Sequence, residues 1–263
     1  MTQTGKMLAR KEGGVGIVTF NNPERHNAVS LEMWEAIKTI LDGFAADDAV
    51  RVVVLTGAGG KAFVSGADIS KFASERASME AVQAYNVKYE AATASIADFP
   101  KPTVAMIRGY CIGGGVGIAT CCDLRICSEE SRFAVPAARL GLGYGYTGLK
   151  RLVDIVGPSF AKEIFYTARH FDAAEAAAMG LVNRVLPGAE LETYVKSITD
   201  MIAANAPLTI KAAKFTVGEI VKEDSKRDLA RATALVEQCF ASSDYTEGRT
   251  AFMAKRKPVF TGR

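Results

Sequence analysis

Two glycine-built turns are the residues best suited to chemistry in this 263-residue chain. Gly113-Gly114-Gly115 stands where a strand and loop run into a stretch of small residues that reads as a helix to Cys122. Free N–H groups at a helix start, backed by the positive end of the helix dipole, suit an oxygen that gains negative charge. A tight turn with close helix packing accounts for the triplet at least as well, since glycine also permits close backbone approach. The second turn is Phe63-Val64-Ser65-Gly66-Ala67-Asp68-Ile69, on its own a loop with a helix cap at Asp68. Together, two strand-to-turn sites can offer converging N–H groups, which is what an oxyanion hole requires.

Other chemistries fit less well. Gly60-Lys61 is followed by Ala62, and the first glycine of a phosphate-binding loop is missing. Gly143-x-Gly145-x-x-Gly148 matches the dinucleotide pattern in letters, but Ala137-Ala138-Arg139-Leu140 before it is a poor strand. Ser65 lies in no nucleophile elbow, and His26 and His170 have no nucleophile near them in sequence, so both read as loop or surface residues. The five cysteines lack C-x-x-C spacing, which argues against a disulfide framework or a structural zinc site and for a reducing compartment.

The elements that must position these turns follow from periodicity. Val15–Phe20, Arg51–Leu55, Thr103–Ile107 and Leu124–Cys127 read as strands. Ser30 reads as the cap of a helix whose apolar face is Met33, Ile37, Ile40, Leu41 and Phe44, and a second helix is expected from Met79 to Phe99. Alternating strands and helices imply right-handed crossovers and a mostly parallel sheet. From about Gly157 the pattern turns helical, with segments Ser159–Ala168, Ala173–Met179, Leu191–Ala204 and one run from Leu208 to Phe240. Residues 1–200 are expected to form the α/β core and residues 201–263 a helical C-terminal region.

With 49% hydrophobic and 23% charged residues, the chain can build a sizeable core. A net charge of only +3 gives no global reason to expect nucleic acid, and Lys255-Arg256-Lys257 reads as a solvated end. Met1 to Arg10 lacks the apolar core of a signal peptide, and no apolar run approaches the roughly 18 residues of a membrane span. A cytoplasmic protein without a membrane partner is the expectation.

At this point the chain resembles the crotonase (enoyl-CoA hydratase/isomerase) superfamily over nearly its whole length. The likeness rests on Asn22-Pro23 with Asn27-Ala28, Ser65-Gly66-Ala67-Asp68-Ile69, and Lys101-Pro102-Thr103. It continues through Gly109-Tyr110-x-x-Gly113-Gly114-Gly115, Cys122-Asp123-Leu124-Arg125-Ile126, and Met179-Gly180-Leu181-Val182-Asn183, and ends at Glu247-Gly248-Arg249 with Lys255-Arg256-Lys257-Pro258. The resemblance implies an α/β ββα-spiral core with a helical region that assembles a homo-trimer or hexamer. It implies an acyl-CoA substrate, with coenzyme A as part of that substrate and no separate cofactor or metal. The N–H groups of Ala67 and Gly114 are then expected to receive the thioester oxygen, and Arg25, Ala28, Ser65, Ala67, Asp68 and Ile69 to lie along the coenzyme.

The departures are as informative. Hydratases of this superfamily carry glutamates where this chain has Gly117 and Ala137, so ordinary hydration is expected to be poor. Tyr144 falls where the superfamily's methylmalonyl-CoA decarboxylases carry a tyrosine, either as a catalytic group or as pocket lining. Loss of carbon dioxide forms the thioester enolate without a base, so a decarboxylase-type lyase is the leading expectation. The alternatives are a hydratase or isomerase with an acid from elsewhere, such as Glu75 or Glu90, and a non-catalytic acyl-CoA-binding protein.

Overall fold

The computed structural model describes residues 5–68 and 77–263, so Ile69 and Glu75 lie outside the described residues. In chain order it runs β1 (Met7–Glu12), β2 (Val15–Phe20), α1 (Leu31–Ala46), β3 (Val52–Gly57), β4 (Ala62–Val64) and α2 (Met79–Ala97). There follow β5 (Thr103–Ile107), β6 (Tyr110–Ile112), α3 (Gly114–Cys121), β7 (Leu124–Ser128), β8 (Arg132–Ala134) and α4 (Tyr146–Thr167). The last third holds β9 (Phe171–Asp172), α5 (Ala173–Ala178), β10 (Arg184–Leu186), α6 (Leu191–Ala204), α7 (Pro207–Ile220), α8 (Leu229–Ala241) and α9 (Ser243–Met253).

Two sheets organise the core. The larger has the order β1-β2-β3-β5-β7-β10 and is parallel apart from the β1–β2 hairpin; the smaller has the order β4-β6-β8-β9. The pairs β3–β4, β5–β6 and β7–β8 each give one strand to each sheet before a helical segment. The chain therefore climbs as a spiral of repeated ββα turns, as the resemblance implied. Both faces of the large sheet are covered, which is why β2 and β3 read as continuous apolar runs. Val18, Phe20 and Leu55 pack with Trp34, Ile37 and Phe44 of α1, while Val15, Ile17, Val52 and Val54 pack under Leu191 and Val195 of α6. Residue 200 falls within α6.

Several of the shared sequence features are fasteners. Lys101 Nζ donates to the carbonyls of Phe44 and Asp47, each at 2.8 Å, satisfying the end of α1. Asp123 Oδ2 accepts from Thr103 N and from Lys214 Nζ, tying α7 to the sheet. The buried Arg125 side chain donates to the carbonyls of Leu181 and Cys122, and Asn183 Oδ1 receives the Arg125 amide.

Four expectations change. Ser30 occupies the cap position of α1, yet its hydroxyl makes no cap bond and is buried without a partner among the described residues. Helical structure begins at Tyr146, capped by Gly145, and not first at Gly157; Gly157 (φ +75°, ψ 166°) is non-helical and divides α4 into two helical stretches, the second of which is the helix expected after it. The run from Leu208 to Phe240 divides into α7 and α8, because the Glu219 carboxylate captures the Asp228 amide at 2.7 Å and forces a turn between them. Nor is the basic tail merely solvated. Arg256 clasps Glu247 at 2.6 and 2.7 Å, and Glu247 also receives the Val259 amide. No helix among the described residues is long and apolar enough to cross a membrane.

Candidate active site

The first turn leaves β4 at Ser65. The Val29 amide donates to the Gly66 carbonyl at 2.8 Å, and the Asp68 amide donates to the Val29 carbonyl at 3.0 Å, a parallel bridge centred on Ala67. In such a bridge the middle residue's N–H points the other way. The Ala67 amide therefore has no backbone partner among the described residues.

The second turn joins β6 to α3. Gly113 sits at φ +53° and ψ −109°, a conformation reserved for glycine, and its amide is spent on the Ala134 carbonyl. Gly114 is thus the first helical residue, and its N–H is one of the orphan donors of a helix start. The two turns meet. A Cβ built on Gly114 would lie 3.8 Å from Ala67 N and 3.7 Å from Gly66 Cα. Sequence spacing placed these amides on separate loops; the parallel packing of β4 against β6 brings them together.

Both amides border a cavity of about 430 Å³ whose wall includes Ser65, Ala137 and Tyr144. Tyr144 is half-buried, packed edge-on against Phe165 at 4.9 Å, with its hydroxyl 3.9 Å from where a Gly113 Cβ would lie. Ala137 is buried and brings no proton carrier. Gly145 and Gly148 belong to the same wall, at the start of α4; the segment before them is a 3-10 helix, so the dinucleotide context is absent. His26 and His170 are both exposed and outside the wall.

Arg25, Ala28 and Asp68 stand beside the first turn, not in the cavity wall. Asn27, at φ 57° and fully buried, donates to the carbonyls of Ala58 and Ala62 and so fixes the turn that carries them. Arg25 Nη1 pairs with Asp68 Oδ1 at 3.2 Å, leaving the arginine about half exposed and the aspartate buried. The Ser65 hydroxyl donates to the Arg25 carbonyl at 3.3 Å, which fastens the two segments.

Sequence reasoning missed the aromatic wall opposite. Tyr85 and Tyr89 are one turn apart on α2 and face Trp34 of α1. The indole N–H donates to the Tyr85 hydroxyl at 2.9 Å, and the Tyr89 ring meets the indole edge-on at 5.1 Å. Glu90 and Arg151 complete the ionisable lining. Burial pushes the Tyr89 phenol well above its ordinary range; Cys121 and Tyr144 add to the rise and Arg151 opposes it. Burial likewise pushes the Cys121 thiol up to about 11, against Arg151. Only a tyrosine–tyrosine–threonine stripe at Tyr85, Tyr89 and Thr93 could have signalled this wall, and such a stripe reads equally well as core.

The profile of the family described as enoyl-CoA hydratase/isomerase matches residues 10–263. The chain belongs to that family. Among enoyl-CoA hydratase/isomerase relatives, it is 34% identical over 257 residues to a short-chain-enoyl-CoA hydratase of Clostridium acetobutylicum, covering 97% of each chain. It is also 34% identical to a crotonyl-CoA hydratase of Syntrophomonas wolfei, covering 98% of each. A crystal structure of an enoyl-CoA hydratase/carnithine racemase from Magnetospirillum magneticum superposes with a TM-score of 0.93 at 36% identity, covering 99% of this chain and 97% of that one. The crotonase-like fold and an enzyme class acting on acyl-CoA thioesters are thereby established for this chain.

Proposed function

We propose that this enzyme adds or moves a proton on an enoyl-CoA thioester through an enolate held by the Ala67 and Gly114 amides. The observation that carries the reading is this pair of unspent donors converging at the mouth of a largely apolar cavity. Negative charge grows on the thioester oxygen only as the enolate forms, so such donors favour the transition state over the bound substrate. The names of the relatives above favour hydration over decarboxylation. Hydration needs a base for water and an acid for the α-carbon, and neither Gly117 nor Ala137 supplies one. Glu90 is the only carboxylate among the described cavity-lining residues, so we assign it the proton of the attacking water. The coenzyme then runs past Ser65 toward the segment that holds Arg25, Ala28 and Asp68, where Arg25 is paired with Asp68.

Wild-type protein should hydrate crotonyl-CoA at a measurable rate, and Glu90→Gln should lower kcat by about 10²-fold or more. Unchanged hydration in that variant would remove Glu90 from the mechanism. A second reading, decarboxylation of a malonyl-type thioester, is favoured by the missing carboxylates and by Tyr144, a phenol in an apolar wall next to the oxyanion turn. Consumption of methylmalonyl-CoA without hydration of crotonyl-CoA would establish it, whereas tight acyl-CoA binding without turnover of either would mark a non-catalytic carrier.

Assembly is proposed on separate grounds. Phe252 and Met253 of α9 are 83% and 82% exposed, and Leu229 and Phe240 of α8 are also open to solvent. Large apolar side chains left open to solvent on two neighbouring helices suit an interaction face. A trimer or hexamer should therefore dominate at micromolar concentration, and light scattering that returns a stable 28.0 kDa particle would overturn this.

A further inference from the structure

We propose that Tyr89 is a catalytic residue whose phenol hydroxyl occupies the space of the carboxylate missing at Gly117 and delivers the proton to the α-carbon of the thioester enolate. This rests on the enolate reading above and adds the identity of its acid. A Cβ built on Gly117 would lie 2.5 Å from the Tyr89 hydroxyl oxygen, closer than any real side chain allows. Residue 117 can be glycine here because a side chain from another helix already fills its place. Gly117 lies one turn beyond Gly114 on the same face of α3, so the hydroxyl stands beside the helix turn that presents the oxyanion amide.

The surroundings fit a proton donor. Tyr89 lines the cavity, and no hydrogen bond engages its hydroxyl among the described residues. Its ring is held edge-on by Trp34, which itself lies 3.7 Å from the Cβ position of Gly114. Burial keeps the phenol protonated at neutral pH, so it can donate but not act as the resting base. In the step, the enolate electron pair forms the new Cα–H bond while the phenol O–H bond breaks. The phenolate left behind is eased by the Arg151 guanidinium, the group that opposes the rise in the Tyr89 pKa. In hydration it regains its proton from the added water by way of Glu90; in decarboxylation it regains it from solvent.

The test uses the full chain with crotonyl-CoA and methylmalonyl-CoA as substrates. Tyr89→Phe should lower kcat by about 10²-fold with KM changed by less than about threefold. Gly117→Ala should cause a similar loss, because its methyl group displaces the hydroxyl. In the double variant, loss of the hydroxyl leaves ordinary contact room, since Tyr89 Cζ lies 3.7 Å from that Cβ position. The two losses should therefore not add, and the double variant should be no slower than Tyr89→Phe alone. A purely structural tyrosine would instead lower the melting temperature or raise KM. Wild-type kcat in Tyr89→Phe, or multiplicative losses in the double variant, would overturn the assignment. If the wild-type protein binds both thioesters and turns over neither, the enolate reading fails first, and this one falls with it.

Discussion

Gly114→Pro should lower thioester turnover by about 10²–10³-fold while the fold persists, because it deletes one of the two amides we propose as oxyanion donors. Proline is ordinarily harmful in a helix, but Gly114 is the first residue of α3, where a missing N–H breaks no intrahelical bond. Space is also available. The nearest atoms to a Cβ at this position are Gly66 Cα and Trp34 Cζ2, both at 3.7 Å, which is ordinary contact. What changes is the mouth of the cavity, where the pyrrolidine ring replaces the hydrogen that the thioester oxygen should meet. Binding of a saturated acyl-CoA should weaken far less than kcat, since the donor's worth is realised as charge develops. Steady-state kinetics paired with a thermal melt separate the outcomes. An unchanged kcat in a folded variant would show that the Gly114 amide holds no oxyanion.

Gly115→Ala should act on stability and activity together. In a free helix, alanine would be the better residue by up to about 1 kcal/mol. Here a Cβ would run into the Val64 carbonyl oxygen, a backbone atom of β4 that cannot rotate aside. Overpacking of that kind costs about 1–3 kcal/mol, and the immobile partner puts this site at the upper end. The collision outweighs the propensity gain, for a net loss of roughly 2 kcal/mol and a fall in Tm of about 4–8 °C. Relief requires α3 to back away from β4, which separates the Gly114 and Ala67 amides, so kcat should fall even at temperatures where the variant is fully folded. A melt and a kcat equal to wild type would mean that the docking of α3 on β4 is looser than the structure has it.

What the sequence determined by itself was local. The β-branched runs of β2, β3, β5 and β7 declared a buried parallel sheet because both faces are covered, and α1 declared its inner face through Met33, Ile37, Ile40 and Phe44. The glycines at 113–115 and at Gly66 marked backbone that must approach closely, and the resemblance singled out the Ala67 and Gly114 amides, which the fold brings side by side. The small sheet stayed hidden, because β4, β6 and β8 are three residues each, too short for any periodicity. The helical stretch before Gly157 and the break at residues 221–228 escape a periodicity reading for a related reason: the first starts in a glycine-rich segment, and the second rests on the Glu219 carboxylate turning back to the Asp228 amide. The aromatic wall belonged wholly to tertiary structure. Nothing near Gly117 in sequence names Tyr89, which stands 28 positions earlier on α2 and meets Gly117 only when α2 packs on α3. A glycine at residue 117 can be read from a sequence, but the side chain that fills the space beside it is decided by helix packing, because the contact joins residues that no local rule connects.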